Sequence, residues 1–188
     1  MIVASALLAF SLFSTPSSGP VSDACQAALR RALNGRADWT MERTLVRGGR
    51  TLRSSGTVDC VMQSGIVWRV TAPFDSSVAM TTNAMVFVDE EGTRVKPLSE
   101  LPYYAEIREK TDAFAAGDSH AFDGLFELAS ETLPDGGWRL VMKPEMKAME
   151  RLFTEIALSG NSLPTNAVLR TADGGTSTIS FRERNDVR

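Results

Sequence analysis

Histidine is almost missing from this 188-residue chain: His120 is its one imidazole, and the chain carries only two cysteines and two tyrosines. A single histidine speaks against His-rich zinc sites and leaves one side chain of ordinary near-neutral pKa for acid-base work. His120 lies in "GDSHAF", directly after Ser119. A nucleophile and its base normally converge from separate segments, so an adjacent Ser and His make a poor pair, and His120 reads as a first-turn helix residue. No G-x-S-x-G elbow occurs, and no glycine-rich loop opens a helix: Gly48-Gly49, Gly136-Gly137 and Gly174-Gly175 all punctuate strand-like segments. The acidic run Asp89-Glu90-Glu91 reads as solvated turn charge. Neither catalytic residues nor a metal or cofactor site is expected, and a hydrolase is the least favoured class.

Concentrated positive charge is also missing. Lys and Arg total 20 against 23 Asp and Glu, for a net charge of -3. Arg30, Arg31, Arg47, Arg50, Arg53, Arg182 and Arg184 are scattered, without the footprint that phosphate neutralisation requires, so no nucleic-acid partner is expected. A long apolar run is missing too. The segment "IVASALLAFSLF", Ile2 to Phe13, falls short of the ~20 residues that span a bilayer. With the Ser/Pro-rich stretch behind it, it has the shape of a secretory signal, although no Lys or Arg precedes it. Residues 1–24 are read as that signal, cleaved at the small-x-small site Ser22-Asp23-Ala24, and residues 25–188 as a single domain. Whether Cys25, then the first mature residue, is lipidated stays open. In an oxidising compartment Cys25 and Cys60 read equally as one disulfide or as two small buried hydrophobes.

What the chain does contain is strand punctuation. One short helix is expected over Asp23 to Asn34, with Ala28, Leu29, Ala32 and Leu33 on one face and Gly35 as its stop. From Trp39 the period changes to two: Trp39, Met41 and Arg43 alternate with Thr40, Glu42 and Thr44. Val58, Cys60 and Met62 then share one face, as do Ile66, Trp68, Val70 and Ala72 in the strand that ends at Pro73. Turn signals recur every 8–12 residues or so, the spacing of an antiparallel sandwich or barrel. Two helical segments interrupt the meander: "LPYYAEIREKTDAFAAGD", with Tyr104, Ile107 and Ala115 near one stripe, and "SHAFDGLFELAS", with Phe122, Leu125, Phe126 and Ala129 spaced i, i+3, i+4, i+7.

Five stretches occur in order over almost the whole expected mature chain: Ser54-Ser55-Gly56 opening a strand, "GIVWRVTAP" ending at Pro73, "WRLVMKP" from Trp138 to Pro144, "FTEIAL" from Phe153, and "LRTADGG" from Leu169 running into "ISF". As an ordered set they resemble the periplasmic outer membrane lipoprotein carrier family, the LolA-like proteins. The resemblance implies a mostly β, α+β fold: a curved antiparallel sheet forming an incomplete barrel, covered by helices that act as a lid. It implies a monomeric, cofactor-free periplasmic carrier that shields the acyl chains of a lipoprotein or other lipid. The cargo would pass from an inner-membrane donor to an outer-membrane acceptor protein. Carriers of this family hold the lid closed with an arginine a few residues before the strand tryptophan. Here "CVMQSGIVW" has none, so that latch is not carried over. The chain also ends at Arg188, soon after "ISFRER", and the two departures point to a divergent member with its own cargo.

For such a carrier the expected cavity residues are Met62, Trp68, Val70, Met80, Met85, Phe87 and Trp138 on the sheet, with Phe114, Phe122 and Phe126 on the lid. Unbranched methionines repack around irregular guests, which suits a pocket that must also release them. The alternative is a structural or adaptor module of an envelope complex, in which the same face is closed by ordinary packing. A continuous apolar cavity of several hundred Å³ separates the two.

Overall fold

The computed structural model describes residues 21–46, 49–61, 64–118 and 120–184, with the side chains of residues 102–104 excepted. Met62 and most of the expected signal segment lie outside the described residues. Helix α1 spans Asp23–Ala32. It starts where Ser22 caps it, accepting from the Cys25 N–H at 3.4 Å, and its last turn carries Arg30 and Arg31, favourable against the helix dipole. Six strands follow: β1 Arg36–Thr44, β2 Thr51–Val61, β3 Gly65–Ala72, β4 Ser76–Met80, β5 Ala84–Asp89 and β6 Gly92–Pro97. A 3-10 turn, Leu98–Glu100, leads into helix α2, Pro102–Ala116. Strands β7 Phe126–Thr132 and β8 Trp138–Pro144, the single-turn helix α3 Lys147–Glu150, and strands β9 Phe153–Gly160, β10 Pro164–Thr171 and β11 Thr176–Glu183 complete the chain.

All eleven strands among the described residues form one antiparallel sheet in the order β6-β5-β4-β3-β2-β1-β11-β10-β9-β8-β7. Two meanders are therefore sewn together by the pairing of β1 with β11, where Trp39 faces Phe181 and Met41 faces Ile179. The sheet is not closed, as the incomplete-barrel expectation requires. This topology dictates where the lid comes from. The chain leaves the sheet at one edge, β6, and re-enters at the other, β7, so the segment between them must cross the opening. Helix α2 is that segment.

Because cross-strand partners share a face, the register traces the inner face from strand to strand. It runs through Met85, Met80, Ile66 and Cys60 at one level and Phe87, Val78, Trp68, Val58 and Ala37 at the next. Across the seam it continues through Phe181 and Ile179, then Ala167, Leu158 and Leu140. Helix α1 packs on the far part of this face: Val21, Cys25 and Ala28 form one buried cluster with Trp138 and Leu140. A second cluster, Leu125, Phe126 and Met149, receives Ile107 from α2.

One expected helix is a strand. Phe122, Leu125, Phe126 and Ala129 do have helical spacing, but residues 120–125 form turns and β7 begins at Phe126. Gly124 turns the chain with a φ of 79°, and from Phe126 onward the edge of β8 supplies ladder bonds for the whole length of β7. Periodicity over a few apolar residues cannot outweigh seven paired positions.

Candidate functional site

Between the end of α1 and the inner face of β1–β3 and β9–β11 the structure leaves a cavity of about 360 Å³. Val58, Cys60, Ile66, Trp68, Leu158 and Phe181 are its sheet wall, Ala32 and Ala37 its wall at the α1–β1 joint, and Leu163 and Pro164 come from the β9–β10 turn. Arg31, Asn34, Arg36 and Glu183 bring polar groups to its rim. Arg31 donates to the Ser162 carbonyl at 3.2 Å, tying α1 to the β9–β10 turn. Asp59 pairs with both Arg36, at 3.2 Å, and Arg184, at 3.0 Å.

Tryptophan is present in this wall for a geometric reason. Trp39, only 2% exposed, stacks on Trp68 with ring centroids 4.8 Å apart and planes 27° apart, and Phe181 meets Trp68 edge-on at 6.2 Å. The pair spans the curved floor across β1–β3, where Gly56 lies between them on β2. A Cβ at Gly56 would come within 2.9 Å of Trp39 Cζ2 and 1.8 Å of the Arg69 carbonyl oxygen. No other residue fits there, so the tryptophans can lie flat across β2 instead of standing over it.

The lid is held from two sides. Arg108, Thr111, Asp112 and Ala115 of α2 face Leu33, Val61, Gly65, Ile66 and Met80 across a narrow crevice of about 20 Å³, room for about one water. Toward the other edge strand, Phe114 contacts Phe122 at 5.5 Å, Phe122 contacts Phe126 at 6.2 Å, and Phe126 stacks on Phe153 at 6.3 Å. At the end of α2, Arg30 of α1 donates from Nε to the Phe114 carbonyl at 3.3 Å and lies 5.7 Å from that ring's centroid. Its Nη2 is fixed by the Gln26 side chain at 3.1 Å. A guanidinium here meets a helix C-terminus, where carbonyls are left over and the dipole is negative.

Of the expected cavity residues, Trp68 lines the 360 Å³ space and Met80 lines the narrow crevice. Met85 is buried opposite Met80, Phe87 lies opposite Val78, and Val70 sits beside Gly56 on the inner face. Phe114, Phe122 and Phe126 form the aromatic chain that runs from α2 to the edge strand β7. Trp138 is core rather than cavity wall: it is sealed under α1, and its indole donates to the Asn161 carbonyl at 2.6 Å. The wall residues Val58, Cys60 and Ile66 were within reach of the period-two pattern, which already put them on the faces of Met62 and Trp68. Leu158, Leu163 and Phe181 were not, because they come to the cavity only through the β1–β11 seam.

The disulfide is not formed; Cys25 and Cys60 are both free thiols. Cys25 sits in the first turn of α1, whereas the Cys60 N–H bonds the carbonyl of Gly35, beyond that helix's other end. Ten residues of helix correspond to roughly 15 Å, and a disulfide needs Cα atoms within about 7 Å. Burial pushes the Cys25 thiol up to about 12; burial, with the neighbouring Asp59 charge, pushes Cys60 up to about 11. Both are protonated at neutral pH and act as small apolar groups. His120 is exposed at the surface and bonds the Asp123 carboxylate at 3.1 Å.

No protein-family model matches the chain, and no curated protein matches it. Similar solved structures include a LolA superfamily protein, NE2245, from Nitrosomonas europaea, with 10% identity, a TM-score of 0.44, and coverage of 89% of this chain and 96% of that one. A DUF1329 family protein from Desulfovibrio piger has 13% identity and a TM-score of 0.40, covering 86% and 91%. LprF from Mycobacterium bovis has 12% identity and a TM-score of 0.35, covering 90% and 97%.

Proposed function

We propose that this chain is a periplasmic carrier that shields the acyl chains of a lipoprotein or other lipid between membranes, without catalysis. The observation that carries this reading is the apolar cavity itself. About 360 Å³ is left open between the end of α1 and the inner face of the sheet, walled by Val58, Cys60, Ile66, Trp68, Leu158 and Phe181. An adaptor built on the same sheet would have no use for an apolar recess of this size, since leaving apolar surface uncovered forgoes about 25 cal/mol per Å².

The size sets the cargo. If a methylene fills about the room of one water, ~30 Å³, the cavity takes on the order of twelve chain carbons. Burying them is worth about 0.8 kcal/mol each, or roughly 10 kcal/mol in all. Association costs on the order of 4–15 kcal/mol, so the net affinity is modest and the cargo reversible, as a carrier requires. One acyl chain, or the end of one, is the natural guest. Donor and acceptor proteins at the inner and outer membranes follow from this reading, with residues ahead of the folded domain acting as the export signal.

Mass spectrometry of lipids extracted from the protein purified from its native envelope tests the reading, together with uptake of a fluorescent fatty acid. Co-purifying acylated molecules and saturable uptake are expected. Protein that is consistently empty and takes up no probe would overturn it.

A further inference from the structure

Beyond the tryptophan pair the inner face changes character. Trp39, Met41 and Arg43 of β1 point to it, with Gly56, Ser54 and Leu52 opposite on β2 and Phe181, Ile179 and Ser177 opposite on β11. Three buried polar atoms on this patch have no hydrogen-bond partner: Trp39 Nε1, Ser54 Oγ and Arg43 Nε. Ser54 faces Met41, so it is the diagonal neighbour of both Trp39 and Arg43, at about 7–8 Å. Ser177, opposite Arg43, is the one buried polar residue among those described that are almost fully enclosed.

Buried polar atoms are nearly always paired, and leaving several unpaired in one place demands an explanation. The unpaired groups here share a chemistry. An indole N–H and a guanidinium N–H can only donate, and a serine hydroxyl can donate, so all three call for acceptor oxygens. The fixed charge of Arg43 makes an anionic oxygen the best acceptor. Asp173 lies in the exposed β10–β11 turn, where its carboxyl is held below the usual range first by the Thr171 hydroxyl and then by the Gly175 N–H, with the Arg43 charge adding to both. The patch adjoins the cavity through the stacked rings, since Trp68 lines one and Trp39 belongs to the other.

We propose that Trp39, Ser54 and Arg43 form a binding site for the anionic oxygen head, carboxylate or phosphate, of an amphiphile whose single chain occupies the cavity. This rests on the carrier reading and names the class of its cargo.

The test titrates the intact protein with three twelve-carbon probes, dodecanoate, dodecyl phosphate and dodecanol, by calorimetry. At least one anion is expected to bind about tenfold or more tighter than dodecanol, the scale of one charged hydrogen bond, and the better anion identifies the head. R43Q and S54A should each shrink that ratio while leaving dodecanol affinity within about twofold. W39F, which keeps an aromatic six-membered ring and removes the N–H, should shrink it too. Equal binding of all three probes would overturn the anion site and leave the carrier reading standing. Binding of none would overturn both. The probe series on the unaltered chain decides the matter even if a variant fails to fold.

Discussion

Arg30 joins α1, whose end lines the cavity, to α2: its Nε donates to the Phe114 carbonyl oxygen at 3.3 Å, and its guanidinium lies over the Phe114 ring. Phe114 is only 3% exposed and is the first ring of the chain that runs through Phe122 and Phe126 to Phe153. An arginine on α1 thus tethers the end of α2, where the segment before Trp68 supplies none.

The consequence is a change in exchange rate. Arg30→Ala removes a charged hydrogen bond and a cation–π contact, together about 1–3 kcal/mol where partly buried. Release of a preloaded fluorescent fatty acid should accelerate about tenfold or more, with faster amide exchange confined to the end of α2. Arg30→Lys should fall between the two, since lysine keeps the charge but not the fixed geometry. Unchanged release with normal folding would show that α2 is held by its packing on Ile66 and Met80 alone.

The folded domain starts earlier than the signal pattern suggests. Val21 is 4% exposed in the cluster with Cys25 and Trp138, the Ser22 N–H donates to Ser130 Oγ at 2.9 Å, and Gln26 Nε2 donates to the Val21 carbonyl at 2.8 Å. A chain beginning at Cys25 loses a buried valine and a helix cap, about 2–4 kcal/mol. Thermal unfolding should therefore show a Tm roughly 5–15 °C below that of a chain beginning at Pro20. Sequencing of exported protein should place its first residue at or before Val21. Equal Tm values for the two lengths would refute this boundary.

How far the sequence reveals this fold depends on which contacts are local. Period-two alternation in "WTMERT" and "GIVWRV" put Trp39, Met41, Arg43, Ile66, Trp68 and Val70 on shared faces, and the sheet keeps every one of them there. Hairpin partners follow from such patterns because turns bring neighbours together. The seam between β1 and β11 does not, since it joins residues over a hundred positions apart, and with it the roles of Phe181 and Leu158 stayed hidden. The core packing of Trp138 is non-local for the same reason: its neighbours, Cys25 and Ala28, belong to a helix more than a hundred positions away. The Arg30 latch carries no local signal at all, because its acceptor is a backbone carbonyl.

The thiols give a pH prediction with a definite sign. In the fold both stay protonated, Cys60 up to about 11 and Cys25 up to about 12, whereas the ordinary value is 9.0. A raised acid is stabilising while it is neutral, so this contribution is complete below about pH 9. It is lost as pH rises toward 11 and 12, because the unfolded thiols ionise first. Urea midpoints should fall over that range, and less so in Cys25→Ala. At pH 8 native protein should react slowly with a soluble thiol reagent. Fatty acid should slow Cys60 further, because Cys60 lines the cavity, and leave Cys25 unchanged. Equal protection of both would argue for a global rather than a cavity effect.

Filling the cavity separates binding from folding. Ile66 sits on its wall, partly buried, with Met80 opposite on β4 and Cys60 opposite on β2. Ile66→Trp adds a large ring that can occupy part of the 360 Å³ without displacing a packed neighbour, so strain is small compared with overpacking a full core, where about 1–3 kcal/mol is usual. Each chain carbon it excludes removes about 0.8 kcal/mol, and losing three or four of them weakens binding by roughly two orders of magnitude. The variant should therefore keep its Tm within a few degrees while fatty-acid uptake falls about a hundredfold. Trp68→Ala works the other way, widening the space and exposing the face of Trp39, and should shift preference toward longer or branched chains. If Ile66→Trp binds as well as the parent protein, the guest lies elsewhere on the sheet and the cavity is not its site.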